Sequence, residues 1–238
     1  MYRSGSTWQY QVVSHLVETK LGGERLGFRA AGTDHSREFR PLVKDPAWRS
    51  VKVHEPQRCW ELLTGPRQRG VVVFYTLRDL RDVVYSMIHK TGMPFDMLVR
   101  QRQVIELIRE CDAFWRSRPG VTVQRYEELM ARPAECVTGI AATLGVALEP
   151  GEAEAIATEY SLAANRERTA LLTAELRRLG LDLSDPRNVM VRDQHSELHW
   201  NHIRDGEAGA WRRVATPEEL AEIEARGGEW LTANGYRD

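Results

Sequence analysis

Two hydrophobic periods run through the chain. Val104, Leu107, Ile108, Cys111 and Phe114 recur at three- and four-residue spacing, which predicts a long amphipathic helix over Met97 to Arg118. The run Val71-Val72-Val73-Phe74-Tyr75 is apolar without a break and predicts a strand over Gly70 to Leu77, buried on both faces of a parallel sheet. Charged Arg78-Asp79 follow at once, and a helix is predicted over Asp82 to Lys90. Arg78 therefore falls at the carboxyl end of a central strand, where open α/β sheets bind ligands. Shorter strands are predicted at Leu26 to Ala30, Ser50 to His54 and Val121 to Gln124. Further helices are predicted over Gln9 to Lys20, Pro133 to Leu144, Gly151 to Glu159 and Arg166 to Leu179, with Gly22-Gly23 and Gly180 as stops. The last helix opens on Thr216 as N-cap, Pro217 at its first position and Glu219 completing a capping box, and Gly227-Gly228 mark a candidate kink. His35 to Trp48 and Leu181 to Asn201 are polar and irregular. Strands that alternate with helices predict one α/β domain over residues 1–238, a central parallel sheet flanked by helices.

The first helix carries the first candidate chemistry. Arg3-Ser4-Gly5-Ser6-Thr7-Trp8 is a loop that turns into a helix N-terminus. The first N–H groups of a helix have no intrahelical acceptor, and the macrodipole adds partial positive charge there, so a phosphate or sulfate fits. Ser4, Ser6 and Thr7 offer hydroxyl donors, and Gly5 lets backbone approach closely. The Gly-x-x-x-x-Gly-Lys-[Ser/Thr] spacing of nucleotide triphosphatases is not present. A loop of this kind ordinarily follows a strand that aims it, yet only Met1 and Tyr2 precede it. Either the chain begins late and the fold lacks its first strand, or another segment supports the loop. On the first alternative an upstream extension is expected to tighten ligand binding.

Composition narrows the partners. A formal net charge of −1 with 28% charged residues provides no overall field for nucleic acid or a membrane surface. Cys59, Cys111 and Cys136 are odd in number and widely spaced, which argues for a reducing, cytoplasmic setting and against a disulfide frame or zinc site. No apolar run reaches a membrane-spanning length. Asp193, His195, Glu197, His199 and His202 include four-residue spacings, but no separated Cys/His set completes a metal site.

Five segments occur in an order that resembles the cytosolic sulfotransferase family, whose members use 3′-phosphoadenosine 5′-phosphosulfate (PAPS). Arg3 to Trp8 resembles the family's Lys-Ser-Gly-Thr-Thr-Trp loop, and Lys52-Val53-His54 its Lys-Thr-His strand end. Arg78-Asp79-Leu80-Arg81-Asp82-Val83-Val84-Tyr85-Ser86 is similar to its Arg-Asn-Pro-Arg-Asp-Val-x-x-Ser element. Tyr126-Glu127-Glu128-Leu129 resembles Tyr-Glu-Asp-Leu, and Arg204-Asp205-Gly206 with Gly209 and Trp211 resembles the closing Arg-Lys-Gly…Gly-x-Trp loop. The resemblance implies a P-loop nucleotide-hydrolase-like fold, PAPS as co-substrate and no metal. It makes His54 the base, with Lys52 and Arg3 stabilising charge at the 5′-phosphosulfate together with the loop residues Ser4 to Trp8. Arg78 and Ser86 would hold the 3′-phosphate, with Tyr126 at the adenine edge and Arg204, Asp205 and Gly206 closing over the nucleotide.

Departures are visible: Arg3 stands for Lys, and Asp205 puts a carboxylate where the family has a lysine. Alternatives stay open at single residues. Arg78 could be an ion-pairing residue with Asp79 or Asp82, Trp8 could belong to the core, and Trp211 could cap the base or anchor its loop. Tyr160-Ser161-Leu162 loosely resembles a Ser-Phe element of the family, which implies a further nucleotide contact there. A small-molecule kinase and a non-catalytic nucleotide binder are the other two readings of the whole chain. The partner implied is a small-molecule hydroxyl acceptor such as an alcohol, phenol or sugar, contacted by loops at Thr33 to Trp48, Thr91 to Asp96 and Leu181 to His202. Monomer and homodimer are both compatible with the sequence.

Overall fold

The computed structural model describes residues 1–30, 45–54, 71–203 and 206–237. Helix α1 (Ser6–Lys20) leads into β1 (Glu24–Phe28), followed by β2 (Arg49–Lys52) and β3 (Phe74–Leu77). Then come α2 (Leu80–Thr91), α3 (Val104–Arg116), β4 (Thr122–Arg125), α4 (Tyr126–Ala131), α5 (Pro133–Leu144), α6 (Glu152–Glu159), α7 (Leu162–Arg178) and α8 (Pro217–Ala233). Strands β1 and β2 pair in parallel, Glu24 opposite Arg49 and Phe28 opposite Lys52. Strands β3 and β4 also pair in parallel, from Phe74 opposite Thr122 to Leu77 opposite Arg125. Among the described residues no ladder joins β2 to β3, so the parallel sheet is present as two pairs.

Helix α1 ties the two pairs together. Ser14 Oγ meets Ser50 Oγ of β2 at 2.8 Å, and Gln9 donates to Gln124 of β4 at 2.8 Å. Tyr10 accepts from the Gly27 N–H of β1 at 2.9 Å. Residues Thr7 to Val12 are all buried, polar and apolar alike, which is why α1 has no sharp apolar stripe. Its buried polar side chains are satisfied by such bonds, as burial requires. Strand β3 divides the core: Tyr75 and Leu77 face Leu80 and Val84 of α2, Ile105 of α3 and Ile223 of α8. Phe74, one pleat away, packs with Val12 and Leu16 of α1 and Val137 of α5 on the other side. The result is helices on both faces of a thin parallel sheet.

Several expected boundaries shift. The helix expected over Met97 to Arg118 is divided into a π-helical turn, Asp96–Gln101, and α3, because Gln103 adopts a left-handed φ of 49°. That break lets Leu98 and Val99 enter the same core as Ile105 and Ile108. The strand expected from Gly70 is limited to β3, and Val71 is exposed. Helix α4 was not expected, and α7 starts at Leu162 because the Ser161 hydroxyl caps it by accepting from the Ala164 N–H. No strand precedes the loop among the described residues; Met1 is buried and its carbonyl accepts from Ser4 Oγ at 2.7 Å.

The capping box at Thr216 and Glu219 forms as read from the sequence, and α8 runs unbroken through Gly227-Gly228. These glycines serve packing. A Cβ on Gly227 would stand 3.0 Å from Leu80 Cδ1 and 3.4 Å from Ile105 Cγ2. Gly227→Val should therefore destabilise by about 1–3 kcal/mol through overpacking. Gly139→Ala, exposed in α5 with open space at its Cβ, should stabilise by about 0.5–1 kcal/mol. Thermal melts of the two variants check the contrast; equal shifts would remove the packing role of Gly227.

Candidate functional site

The loop is fixed from below by glycine geometry. Gly5 is the N-cap of α1 with φ +86°, and no side chain caps the helix there. A Cβ at this position would lie 2.9 Å from Leu129 Cδ1 and 3.1 Å from Tyr126 Cδ2, so the close approach that needs glycine is to α4. The first-turn N–H groups of α1 are left for a ligand or solvent. Ser4 is fully buried, its hydroxyl engaged with Met1 O and, at 2.6 Å, with Thr76 Oγ1 of β3. That hydroxyl holds the loop rather than facing outward. Ser6 is half-buried at the first position of α1. Trp8 is buried in the core beside Val12, Leu16 and Leu129.

The distant segments meet at this loop. Arg3, itself left-handed at φ 53°, donates from Nε to Ser86 Oγ at 2.9 Å and from Nη2 to His202 O at 2.6 Å. Arg78 donates to Arg3 O at 3.2 Å and to Glu207 O at 2.7 Å, and its guanidinium lies 3.9 Å above the Tyr126 ring. It also stands 3.4 Å from Asp82, which is shared with the Gly209 and Trp211 N–H groups at 2.7 and 3.1 Å. Asp79 instead pairs with Arg81. Tyr126 donates its hydroxyl to Gly206 O at 2.6 Å. Lys52 Nζ donates to Thr7 Oγ1, which also meets His202 Nε2 at 3.2 Å. His54 lies two residues beyond Lys52, its ring 4.7 Å from that of Tyr2 and 5.5 Å from that of Phe28. Arg204 and Asp205 fall outside the described residues. Trp211 is buried in the core between the Arg81 and Arg212 guanidinium groups, 4.1 and 4.5 Å from its ring, as an anchor.

No protein-family model and no curated protein sequence matches this chain. Solved structures do. Retinol dehydratase in complex with androsterone and the inactive cofactor PAP aligns with 96% of this chain and 78% of its own, at 19% identity and a TM-score of 0.61. The same enzyme with retinol and PAP aligns with 97% and 79%, at 20% identity and a TM-score of 0.63. Mouse sulfotransferase SULT7A1 complexed with PAP aligns with 96% and 81%, at 17% identity and a TM-score of 0.61. The chain has a sulfotransferase fold.

Within this sulfotransferase fold the loop region concentrates positive charge. Burial pushes the Lys52 ammonium down to about 7; Arg3 and Arg192 add to the shift and Glu197 opposes it. His54 is held well below its usual value, first by burial, then by Lys52, the chain's amino group, Lys90 and Arg3. His202 is lowered in the same way by burial, Arg3, Lys52 and Lys90. Both imidazoles are thus neutral at pH 7. Two polar atoms of the expected site, Arg78 Nε and His54 Nδ1, are buried with no hydrogen-bond partner.

Asp82, Lys90, Arg192, Glu197 and His202 belong to this region although the sequence motifs did not single them out as site residues. The rings of His199 and His202 stack at 5.6 Å, and among the described residues no group of three or more His, Cys, Asp and Glu is placed to hold a metal ion. The available signal was the expectation that Leu181 to His202 reaches the acceptor side. Ser161 caps α7, and Tyr160 packs in the core with its hydroxyl 3.2 Å from His15.

Lys52 makes a stability prediction with a definite sign. Its folded value of about 7 lies below its ordinary 10.5, so the folding penalty of its charge is fully present below about pH 7 and fades as pH rises toward 10.5. Lys52→Met should melt higher than the parent chain at pH 7 in the absence of ligand, and the gap should narrow by pH 9.5. A variant that melts lower at both values would show that the ammonium is stabilising in place.

Proposed function

We propose that this protein transfers a sulfuryl group from PAPS to the hydroxyl of a small-molecule acceptor, with His54 as general base. The observation that carries the reading is the meeting of Arg3, Arg78 and Ser86 at one loop, through the 2.9 Å Arg3–Ser86 bond and the Arg78 bond to Arg3 O. The neighbours of this fold that are solved with PAP support the same ligand class here. Three local features fit a bisphosphorylated nucleotide. Gly5 leaves the first turn of α1 without a side-chain cap, Arg78 Nε is buried without a partner, and Lys52 sits among cations that a dianion would relieve. The Arg78 Nη donors rest on backbone carbonyls, and a phosphate is the stronger acceptor for a guanidinium.

Each residue then has a physical task. Arg78 and Ser86 bind the 3′-phosphate, assisted by Arg204 and the Gly206 backbone, while Asp205 of the same segment brings the opposite sign. Arg3, Lys52, Thr7, Ser6 and the α1 N–H groups bind the 5′-phosphosulfate, and the cations stabilise charge that develops on the leaving oxygens. PAPS, when bound, supplies the activated sulfuryl group. His54 follows the end of β2 two residues after Lys52, whose charge acts on its imidazole. Neutral at pH 7, His54 is in the protonation state that accepts the acceptor's proton. Tyr126 holds the closing segment through Gly206 O.

The donor assignment predicts that 3′,5′-bisphosphoadenosine (PAP) binds far more tightly than 5′-AMP in calorimetry. Arg78→Ala should weaken PAP by about 10- to 100-fold and AMP little, since a charged hydrogen-bond partner is lost only for PAP. Equal affinities for the two nucleotides in the parent chain would overturn the 3′-phosphate site. For the base, His54→Ala should retain PAP affinity and lose turnover by about 10² to 10⁴-fold, read as sulfated product by mass. If His202→Ala shows that loss and His54→Ala does not, the base is His202.

A further inference from the structure

We infer that the acceptor is itself anionic: a hydroxyl compound bearing a carboxylate or comparable oxyanion, gripped by Lys90 and Arg192. The inference rests on the donor reading above and names the substrate class of the same site. Lys90 lies one helical turn beyond Ser86 on α2 and is half-buried, and Asn201 Nδ2 bonds its carbonyl at 3.2 Å. The charges acting on its ammonium are Arg3, Lys52 and Arg192, all cations, and burial with these neighbours holds it down to about 7. No carboxylate among the described residues pairs with it. Arg192 is tied to the base side of the site: its guanidinium lies 5.4 Å from the Phe28 ring, which is also the ring beside His54.

Glu197 cannot neutralise this group of four cations. Its Oε2 stands 2.6 Å from Arg192 Nε and its Oε1 accepts from the Phe28 N–H at 2.9 Å, so both oxygens are committed. The donor's phosphosulfate, on the reading above, engages Arg3 and Lys52. Lys90 is then left over, beside an Arg192 whose charge is shared with Glu197, and Lys90 acts on His54, His199 and His202. A charge kept half-buried without a counterion is costly, and an oxyanion brought by the acceptor removes that cost. Around it, His199 Nδ1 and Asn201 Oδ1 are buried without hydrogen-bond partners, which suits an acceptor rich in hydroxyl groups.

The test uses matched pairs on the full chain saturated with PAP: 4-hydroxybenzoate against 4-hydroxybenzamide, and glucose 6-phosphate against glucose, each titrated by calorimetry. The expected result is at least about tenfold tighter binding of the charged member in one pair, and the pair that shows it separates a carboxylate from a phosphate. Lys90→Met should abolish the preference while PAP affinity stays unchanged, and Lys90→Arg should retain it. Equal binding of charged and neutral members, with PAP still bound, overturns the inference and leaves the donor reading intact. A loss of PAP affinity in Lys90→Met also overturns it, because Lys90 would then serve the donor. Failure of the parent chain to bind PAP removes the donor reading itself.

Discussion

Positive charge gathered at the start of α1 is the constraint on which the rest of the structure turns. Arg3, Lys52 and Arg78 are brought to one loop, and their donors rest on hydroxyls and backbone carbonyls, with Asp82 at 3.4 Å from Arg78 and shared with two N–H groups. Carbonyls satisfy hydrogen bonds but leave net charge in place. The cost appears in the depressed ammonium of Lys52 and in imidazoles that stay neutral. A ligand with several anionic oxygens would offset this charge, which joins the electrostatics of the loop to the sulfuryl-transfer reading.

Holding this charge demands a stiff support, and α1 supplies it. The helix is buried throughout Thr7 to Val12 and bonded by Gln9, Tyr10 and Ser14 to strands of both parallel pairs. Its own N-terminus is seated on α4, where Gly5 leaves no room for a side chain. The same helix that exposes its first N–H groups to a ligand is therefore the element that joins the two halves of the sheet. Site and scaffold share residues: Thr7 receives Lys52 and His202, while Trp8, its neighbour, fills the core.

The histidine-rich segment before Gly206 gathers several of the charges that act on the loop. Glu197 anchors β1 through Phe28 and restrains Arg192, His202 receives Arg3 on its carbonyl, and His199 is held down to about 3 by burial and surrounding cations. None of these contacts repeats along the sequence with a period. They exist because β1, α2 and this segment converge on the loop.

The sequence by itself determined the local features whose cause lies within a few residues. The glycine turn into α1, the Thr216–Glu219 capping box, the apolar run that becomes β3 and the helix after Arg78 are all legible, because caps, glycine freedom and hydrophobic period act at short range. The order of five short segments also carried the fold, which the solved sulfotransferase structures match. Tertiary structure alone decided what depends on contacts between distant residues. It broke the expected long helix at Gln103, committed Trp8 and Trp211 to the core, and turned the Ser4 hydroxyl inward to Thr76. It also gathered Lys90 and Arg192 near Lys52, with the neutral His202 among them, a grouping with no local signature, since its cause is the burial of like charges from three separate elements in one small space.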